Sequence, residues 1–349
     1  MNNKETDSNS PKRFSRRRFL QLSGAVAVVG TGLFLLESNK VLKTSTIANN
    51  LQPPPFPTPT PEKYVIGVPG VTRTELEKVP VAADLVELKD RLAGEIDAHE
   101  GQTAVAVTDV KTGEMIDVNG DRIQLTGCVA NLFCALTVIE YIRRGLITKE
   151  EVEYDLTTMV RHSSPSHATP LLNQLGNGDV EKALIIINDL MRSWGLEKSI
   201  YANPPALDDC YEDCRRPNEA TANEINQILV KIAKNELFPA DQNFDANQYA
   251  IWVMSNNKPG LNFMIPWEIP QSEATVAHKV GWYPGQPHTI NDVGLVFASD
   301  QRFQYAISCL YQNYDYSMAE ETLYYDPGGL LSRLSKITYQ TFVNRYGRP

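Results

Sequence analysis

Basic residues are in deficit. Lys and Arg number 33 against 42 Asp and Glu, a formal net charge of -9, and a surface that grips nucleic-acid phosphates needs the opposite balance. The acidity is spread along the chain and reads as ordinary solubility, so nucleic acid is not an expected partner. Cysteine is also scarce. Five thiols in 349 residues do not make a disulfide-dense scaffold, and the odd count leaves at least one unpaired within a monomer, the expected state. None precedes Cys128, which excludes a lipid-modified N-terminal cysteine. No internal repeat is found. What the chain does have is 42% hydrophobic residues, enough for one large core or two small ones.

The first 36 residues read as an address rather than as fold. Ser15-Arg16-Arg17-Arg18-Phe19-Leu20-Gln21 resembles the twin-arginine export signal without the frequent Lys at its end, and a mostly apolar run follows from Phe19 to Leu36. As a helix that run rises about 27 Å, close to the ~30 Å hydrocarbon core of a bilayer. Thr46-Ile47-Ala48 is a tolerable cleavage site but lies far from it. The expectation is export by the twin-arginine route, with the protein either released or held at the membrane by an uncleaved N-terminal helix. Residues 37–82 read as a spacer: Pro53, Pro54, Pro55, Pro57, Pro59 and Pro61 favour extended polyproline geometry, which suits a domain held off a membrane.

The folded domain is expected over 83–349. Leu85, Leu88, Leu92 and Ile96 share one helical face. Thr103 to Val110 and Glu114 to Val118, joined at Thr112-Gly113, form a hairpin. A long helix is predicted from about Cys128 to Arg144, stopped by Gly145, and Thr148-Lys149-Glu150-Glu151 is a capping-box start for the next element. Helical patterns follow at about 169–175, 180–195 and 221–235, with an irregular loop from Pro204 to Pro217. Strand character returns at Thr275 to Trp282, Thr289 to Ala298 and Phe303 to Tyr311, before an amphipathic helix from Gly328 to Phe342. Strands at both ends of a helical middle imply one antiparallel sheet assembled from both termini, with a helical insertion over about 128–265. A separate small hairpin domain is the alternative, and the marginal stability of a lone hairpin counts against it.

Three local motifs in this order resemble the class A β-lactamases and their penicillin-recognising serine hydrolase relatives. That family carries Ser-x-x-Lys at the start of a buried helix, then Ser-Asp-Asn, then Lys-Thr-Gly on a strand. Here Val276-Ala277-His278-Lys279-Val280-Gly281-Trp282 looks like the Lys-Thr-Gly strand with Val280 in place of Thr, and His288 to Gly294 looks like the strand after it. The first motif falls on Cys128-Val129-Ala130-Asn131. Counting back from Ala168-Thr169-Pro170 puts the second on Ser164-Pro165-Ser166. The resemblance covers roughly Ala83 to Asn344. It implies an α/β fold of the β-lactamase/transpeptidase type: a five-stranded antiparallel sheet flanked by terminal helices, plus a helical subdomain. It further implies ancestral acyl transfer on β-lactams or peptidoglycan peptides, with a cell-wall peptide or β-lactam-like small molecule as ligand and no cofactor or metal. By position, Cys128, Asn131, Ser164, Ser166 and Lys279 would be the catalytic set, and Val280, Gly281 and Trp282 the substrate-binding set.

The substitutions alter the chemistry. Acyl transfer needs a nucleophile, a proton acceptor and donors for the oxyanion. The backbone N–H groups implied for the oxyanion hole belong to Cys128 and Trp282 and survive side-chain change. An asparagine amide takes no proton at neutral pH, so Asn131 removes the base. The family's deacylating glutamate has no counterpart with the usual spacing, although Asp208, Asp209, Glu212 and Asp213 stand in the corresponding loop. Val280 removes a hydroxyl that would bond a substrate carboxylate. Two readings follow: a catalytically impaired relative that binds a cell-envelope ligand, or an active hydrolase in which Cys128, at a helix N-terminus and facing Lys279, attacks as a thiolate. A nucleophile placed elsewhere, such as Ser164, is a third.

Each residue also has a plainer role. Cys128 serves equally as a small buried apolar group, Asn131 as a structural amide bonding the neighbouring loop, the 163–166 tract as a helix-capping loop, and Lys279 as an exposed strand lysine. Cys210 and Cys214 suit a local disulfide, ahead of free thiols or a metal site that would want two more ligands. Cys134 and Cys309 read as core, His278 and His288 as structural residues flanking strand turns, and Trp282-Tyr283 as the cleft mouth.

Overall fold

A computed structural model of the protein describes residues 80–203, 217–255, 257, 261–283, 287–315 and 320–349, with the backbone alone at Pro165 and over 320–327. The export signal, the proline-rich spacer, Cys210, Cys214 and the acidic residues between 208 and 213 lie outside the described residues.

The first helix, α1 (Ala83–Asp97), buries the four residues of its predicted stripe, Leu85, Leu88, Leu92 and Ile96. Its N-cap, Ala82, offers no side-chain oxygen, a deficit of about 1 kcal/mol. Four buried aliphatic side chains contribute roughly 1.5–3 kcal/mol each as an upper bound, so packing decides. The hairpin follows as β1 (Gln102–Asp109) and β2 (Met115–Val118), antiparallel with Val105 opposite Val118.

The late strands are β5 (Ala274–Tyr283), β6 (His288–Ala298) and β7 (Gln304–Asn313). They join the hairpin in one five-stranded sheet of order β2-β1-β7-β6-β5 with antiparallel neighbours throughout. The hairpin therefore belongs to the main sheet, and the alternative of a separate hairpin domain falls. The last helix, α8 (Glu320–Tyr346), starts earlier than the predicted Gly328 and runs through Pro327, Gly328 and Gly329.

The period-2 alternation of the strands divides the core in two. Val105, Val107, Tyr305 and Ile307 face α1 and the Leu330, Leu331, Leu334 and Phe342 side of α8. Ala104, Ala106, Ala277, Val293, Leu295 and Ala306 face the helical insertion. Arg345 ties α8 to the first elements through Asp84 at 2.9 Å and through Glu114.

The insertion contains α2 (Ala130–Arg143), α3 (Lys149–Arg161), α4 (Ala168–Gly176), α5 (Val180–Ser193), α6 (Ala222–Ala233) and α7 (Ala246–Met254). The capping box of α3 is formed, with the Thr148 N–H donating to the Glu151 carboxylate at 3.3 Å. Every residue of α2 from Ala130 to Glu140 is buried, and a helix apolar on all sides belongs in the centre of a core. Cys128, just before α2, is half-buried at the edge of this core. A two-residue pair, β3 (Gln124–Leu125) with β4 (Glu219–Ala220), joins the approach to α2 with the approach to α6.

Candidate active site

Cys128 occupies a 3-10 turn, Gly127–Val129, that precedes the α-helix proper, rather than the first α-helical turn expected. Two glycines let this turn lie against β5. Gly127 adopts φ +50°, and a Cβ there would come within 2.8 Å of the Trp282 carbonyl carbon. A Cβ on Gly281 would overlap the Thr126 carbonyl oxygen and stand 2.8 Å from the Val129 nitrogen. Side-chain amides hold the approach: Asn291 Nδ2 donates to the Leu125 carbonyl at 2.8 Å, and the Leu125 N–H donates to Gln312 Oε1 at 3.2 Å. Cys128 Sγ ends 3.9 Å from the Trp282 carbonyl oxygen. The turn bearing Cys128 and the strand bearing Lys279 thus lie directly against one another.

Lys279 is 0% exposed, not the surface lysine that its strand position also allowed. Its Nζ donates to Ser163 Oγ at 2.7 Å and to the Val280 carbonyl at 2.6 Å. Burial pushes its pKa down from 10.5 to about 8, against an upward pull from negative charge at Cys128 and Asp292. At neutral pH the ammonium form dominates, and a neutral amine is within easy reach.

The serine that meets Lys279 is Ser163, not Ser164. α3 ends at Arg161 with His162 as its C-cap, and Ser163 then takes φ +50°. This left-handed residue directs its hydroxyl at β5. Ser164 and Ser166 instead lie 3.1 Å from one another, Oγ to Oγ, on the exposed side of the loop. The count back from α4 was therefore one residue out.

Val280 also departs from expectation. Strand alternation turns it away from Lys279, and it is buried in the apolar cluster that includes Ile290 and the α1 and α8 leucines. It does not line the cleft. His278, on the same face as Val280, sits mid-strand rather than at a turn. Its Nδ1 is 2.9 Å from Asp292 Oδ1, and its Nε2 is 3.2 Å from Asn262 Oδ1. Asp292 Oδ2 also accepts the Ile265 N–H at 3.0 Å. Gly294 makes room for this pair, since a Cβ there would stand 2.7 Å from that of His278. The pair is the buried support of the Lys279 strand.

Asn131, one turn after Cys128, is fully buried, and neither Oδ1 nor Nδ2 has a hydrogen-bond partner among the described residues. Among the described residues the expected bond to a neighbouring loop is not made. Cys134 and Cys309 are fully buried, as core residues should be, and burial pushes the Cys134 thiol up to about 12. Sequence reasoning missed Ser163, the neighbour of the residue it chose.

The family model of the Beta-lactamase enzyme family matches residues 154–342, more than half of the chain. The chain belongs to the β-lactamase family. The match begins beyond Cys128 and Asn131, so those positions rest on the fold. Solved structures with the same fold include PBP-A (TM-score 0.60, 17% identity, 76% of this chain and 99% of that one). The TLA-1 extended-spectrum β-lactamase matches with TM-score 0.61 at 16% identity, over 74% of this chain and 99% of its own. A β-lactamase from Chitinophaga pinensis matches with TM-score 0.58 at 16% identity, over 73% of this chain and 98% of its own. No curated protein sequence matches closely. At these identities the comparisons show that the β-lactamase/transpeptidase-like fold is shared.

Proposed function

We propose that this β-lactamase-family domain is exported, that its cleft binds a β-lactam-like molecule or a cell-wall peptide, and that it turns the ligand over slowly or not at all. The observation that carries this reading is Asn131. Its amide stands where acyl transfer needs a proton acceptor, and losing a positioned acid–base group costs typically about 10²- to 10⁴-fold in rate. The choice of ligand is supported by the shared fold with PBP-A, a mutant of which was solved as an acyl-enzyme complex with penicillin G. Export is supported by Arg16-Arg17 before an apolar run and by the spacer after it. Arg16→Lys with Arg17→Lys should strand the protein in the cytoplasm on fractionation.

A second reading is favoured by Lys279. In its neutral form Lys279 can take the Cys128 proton. The sulfur then bonds to the lactam carbonyl carbon, the ring C–N bond breaks, and the Ser163 hydroxyl passes a proton to the departing nitrogen and regains one from Lys279. The product is a thioester that awaits water. Incubating the purified protein with penicillin G separates the readings. Saturable quenching of Trp282, 43% exposed at the cleft mouth, without product or covalent mass gain supports the binding domain. A stoichiometric adduct mapped to Cys128 supports the thiol acyl acceptor. Multiple turnovers at hydrolase rates overturn the proposal, and an adduct on a serine moves the nucleophile.

A further inference from the structure

The buried lysine of β5 is bonded to a serine and not to the cysteine. Lys279 Nζ lies 2.7 Å from Ser163 Oγ and 2.6 Å from the Val280 carbonyl oxygen. Cys128 Sγ makes its one hydrogen bond among the described residues to the Trp282 carbonyl, at 3.9 Å. Two ionisable groups act on Lys279 by charge, Cys128 from the 127–129 turn and Asp292 from β6. The Asp292 oxygens are taken up by His278 Nδ1 and the Ile265 N–H. Both protonation states of Lys279 fit its two partners. The ammonium donates to each, whereas the neutral amine donates to the Val280 carbonyl and accepts the Ser163 O–H. Burial favours the second state, and that state makes the serine a nucleophile.

The backbone holds Ser163 in this place at a cost. It is the residue after the C-cap of α3 and adopts φ +50°. Glycine is the usual choice there, because a side chain in the left-handed region costs roughly 1–2 kcal/mol. A serine accepts that cost and puts a hydroxyl on Lys279. The end of α3 is pinned. Arg161 donates from Nη2 to the Trp252 carbonyl at 2.6 Å and from Nε to the Val253 carbonyl at 3.3 Å, and its guanidinium carbon stands 4.1 Å from the Trp252 ring centroid. The His162 N–H donates to the Thr158 carbonyl at 3.0 Å. On the other side the Val280 carbonyl orients the amine. Ser163 itself is half-buried, so the residue stays within reach of a ligand. A hydroxyl, a base in contact with it and a group that orients the base are the three parts of an activated nucleophile.

We infer that Ser163 and Lys279 form a nucleophile–base pair for acyl transfer from carboxylic esters. Ser163 Oγ bonds to the ester carbonyl carbon while its proton passes to Lys279 Nζ. The ester C–O bond breaks, and the alcohol leaves with that proton. Water then attacks the acyl-serine, its proton passes through Lys279 to Ser163 Oγ, and the acid is released. Esters are the class assigned because a departing alkoxide needs less proton assistance than an amide nitrogen, and one lysine has to serve as both base and acid. The inference rests on the reading of the cleft as a place for acyl compounds, and it gives Lys279 to Ser163 in place of Cys128.

An alkyl fluorophosphonate tests the pair on the full-length protein. Ser163 Oγ bonds to phosphorus, fluoride leaves, and the proton goes to Lys279 and then to solvent. The expected product carries one phosphonyl group, assigned to Ser163 by peptide mapping. Its rate of formation should rise with pH and level off above about 8, where Lys279 has lost its proton. Lys279→Met should slow labelling by roughly 10²- to 10⁴-fold, the usual effect of a positioned base, and Ser163→Ala should abolish it. Should Lys279→Met fail to fold, the pH–rate profile of the parent tests the lysine alone. No label between about pH 7 and 10, or a label on Ser164, Ser166 or Cys128 instead, overturns the inference. So does labelling of Ser163 at a rate indifferent to pH and to Lys279. Penicillin G binding without phosphonylation of Ser163 removes the pair and leaves the functional reading standing. Phosphonylation of Ser163 in a protein that binds no penicillin G keeps the pair and removes that reading.

Discussion

Replacing Lys279 with Met gives a stability difference that depends on pH in a calculable way. In the folded protein burial depresses the Lys279 pKa from 10.5 to about 8. Below pH 8 the lysine is protonated in both states, and the folded state bears the whole cost of a buried cation. Between pH 8 and 10.5 the unfolded chain still binds the proton that the folded chain has released, so stability rises with pH. Above 10.5 the cost is gone. A shift of this size is worth about 3 kcal/mol. Relative to Lys279→Met, the parent should therefore gain about 3 kcal/mol from pH 7 to pH 11, a Tm change of roughly 6–12 °C. The variant also leaves Ser163 Oγ and the Val280 carbonyl without their donor, but that penalty is independent of pH and moves only the baseline. Other buried groups that ionise at high pH, such as Tyr201 and Tyr305, are present in both proteins and cancel. Urea denaturation followed by circular dichroism at one-unit pH steps measures the difference. A flat difference would mean that Lys279 is solvated, and a falling one that its ammonium is held by a dominant ion pair. Either result would refute the buried amine on which the cleft chemistry depends.

Three further tests address the frame around that amine. Gly281→Ala must push β5 off the 126–129 turn, since its Cβ meets backbone rather than a flexible side-chain end. The expected loss is about 1–3 kcal/mol, seen as a fall in the urea midpoint with slope unchanged. Ser163→Ala removes an acceptor of the Lys279 ammonium and should lower the lysine pKa further in an NMR titration, whereas Ser164→Ala should leave it where it was. Asp292→Ala deletes a buried carboxylate that accepts from Ile265 and His278. It should cost about 3–5 kcal/mol and, because Asp292 pulls the Lys279 pKa up, lower that pKa as well.

The parts of the fold that repeat were legible in the sequence. The leucine stripe of α1, the hairpin and the three late strands each present several residues at one period, and tertiary packing follows that period. The facing of residues 128 and 279 was also legible, because motif order carried it. Features that depend on a single dihedral were not. The left-handed turn at Ser163 decides which of two adjacent serines meets Lys279, and no periodicity exists in a four-residue loop to reveal it. Val280 was legible and misread: with Lys279 facing the cleft, alternation alone sends Val280 to the opposite face, yet the family pattern outweighed that rule. The Ala246–Met254 helix went unnoticed because Ala-Ile-Trp-Val looks like strand. Its N-cap Asp245, which accepts the Gln248 N–H at 3.0 Å, was the available signal. The pair β3–β4 is two residues long, below any usable period.

Cleft shape and cleft chemistry rest on different atoms here. Gly127 and Gly281, with the Asn291 and Gln312 amides on the Leu125 backbone, set the approach of the turn to β5, while in the proposed chemistry the nucleophile and the missing base are the side chains at 128 and 131. That separation predicts the behaviour of the double variant Cys128→Ser, Asn131→Lys. The serine removes the upward pull that residue 128 exerts on the Lys279 pKa, and the introduced amine adds a cation at a position that is 0% exposed in the parent. Both changes push Lys279 below its present value of about 8. Two cations in one dry cleft cannot both stay charged at neutral pH, so one amine becomes free to act as base between about pH 7 and 8. The double variant should then be acylated on the new hydroxyl by penicillin G, detected as intact mass gain, at pH 7–8 and less so at pH 6, where both amines are driven to charge. A folded double variant that stays unmodified from pH 6 to 9 would show that the frame has moved along with the chemistry, and that the two glycines alone do not preserve an acyl-transfer cleft.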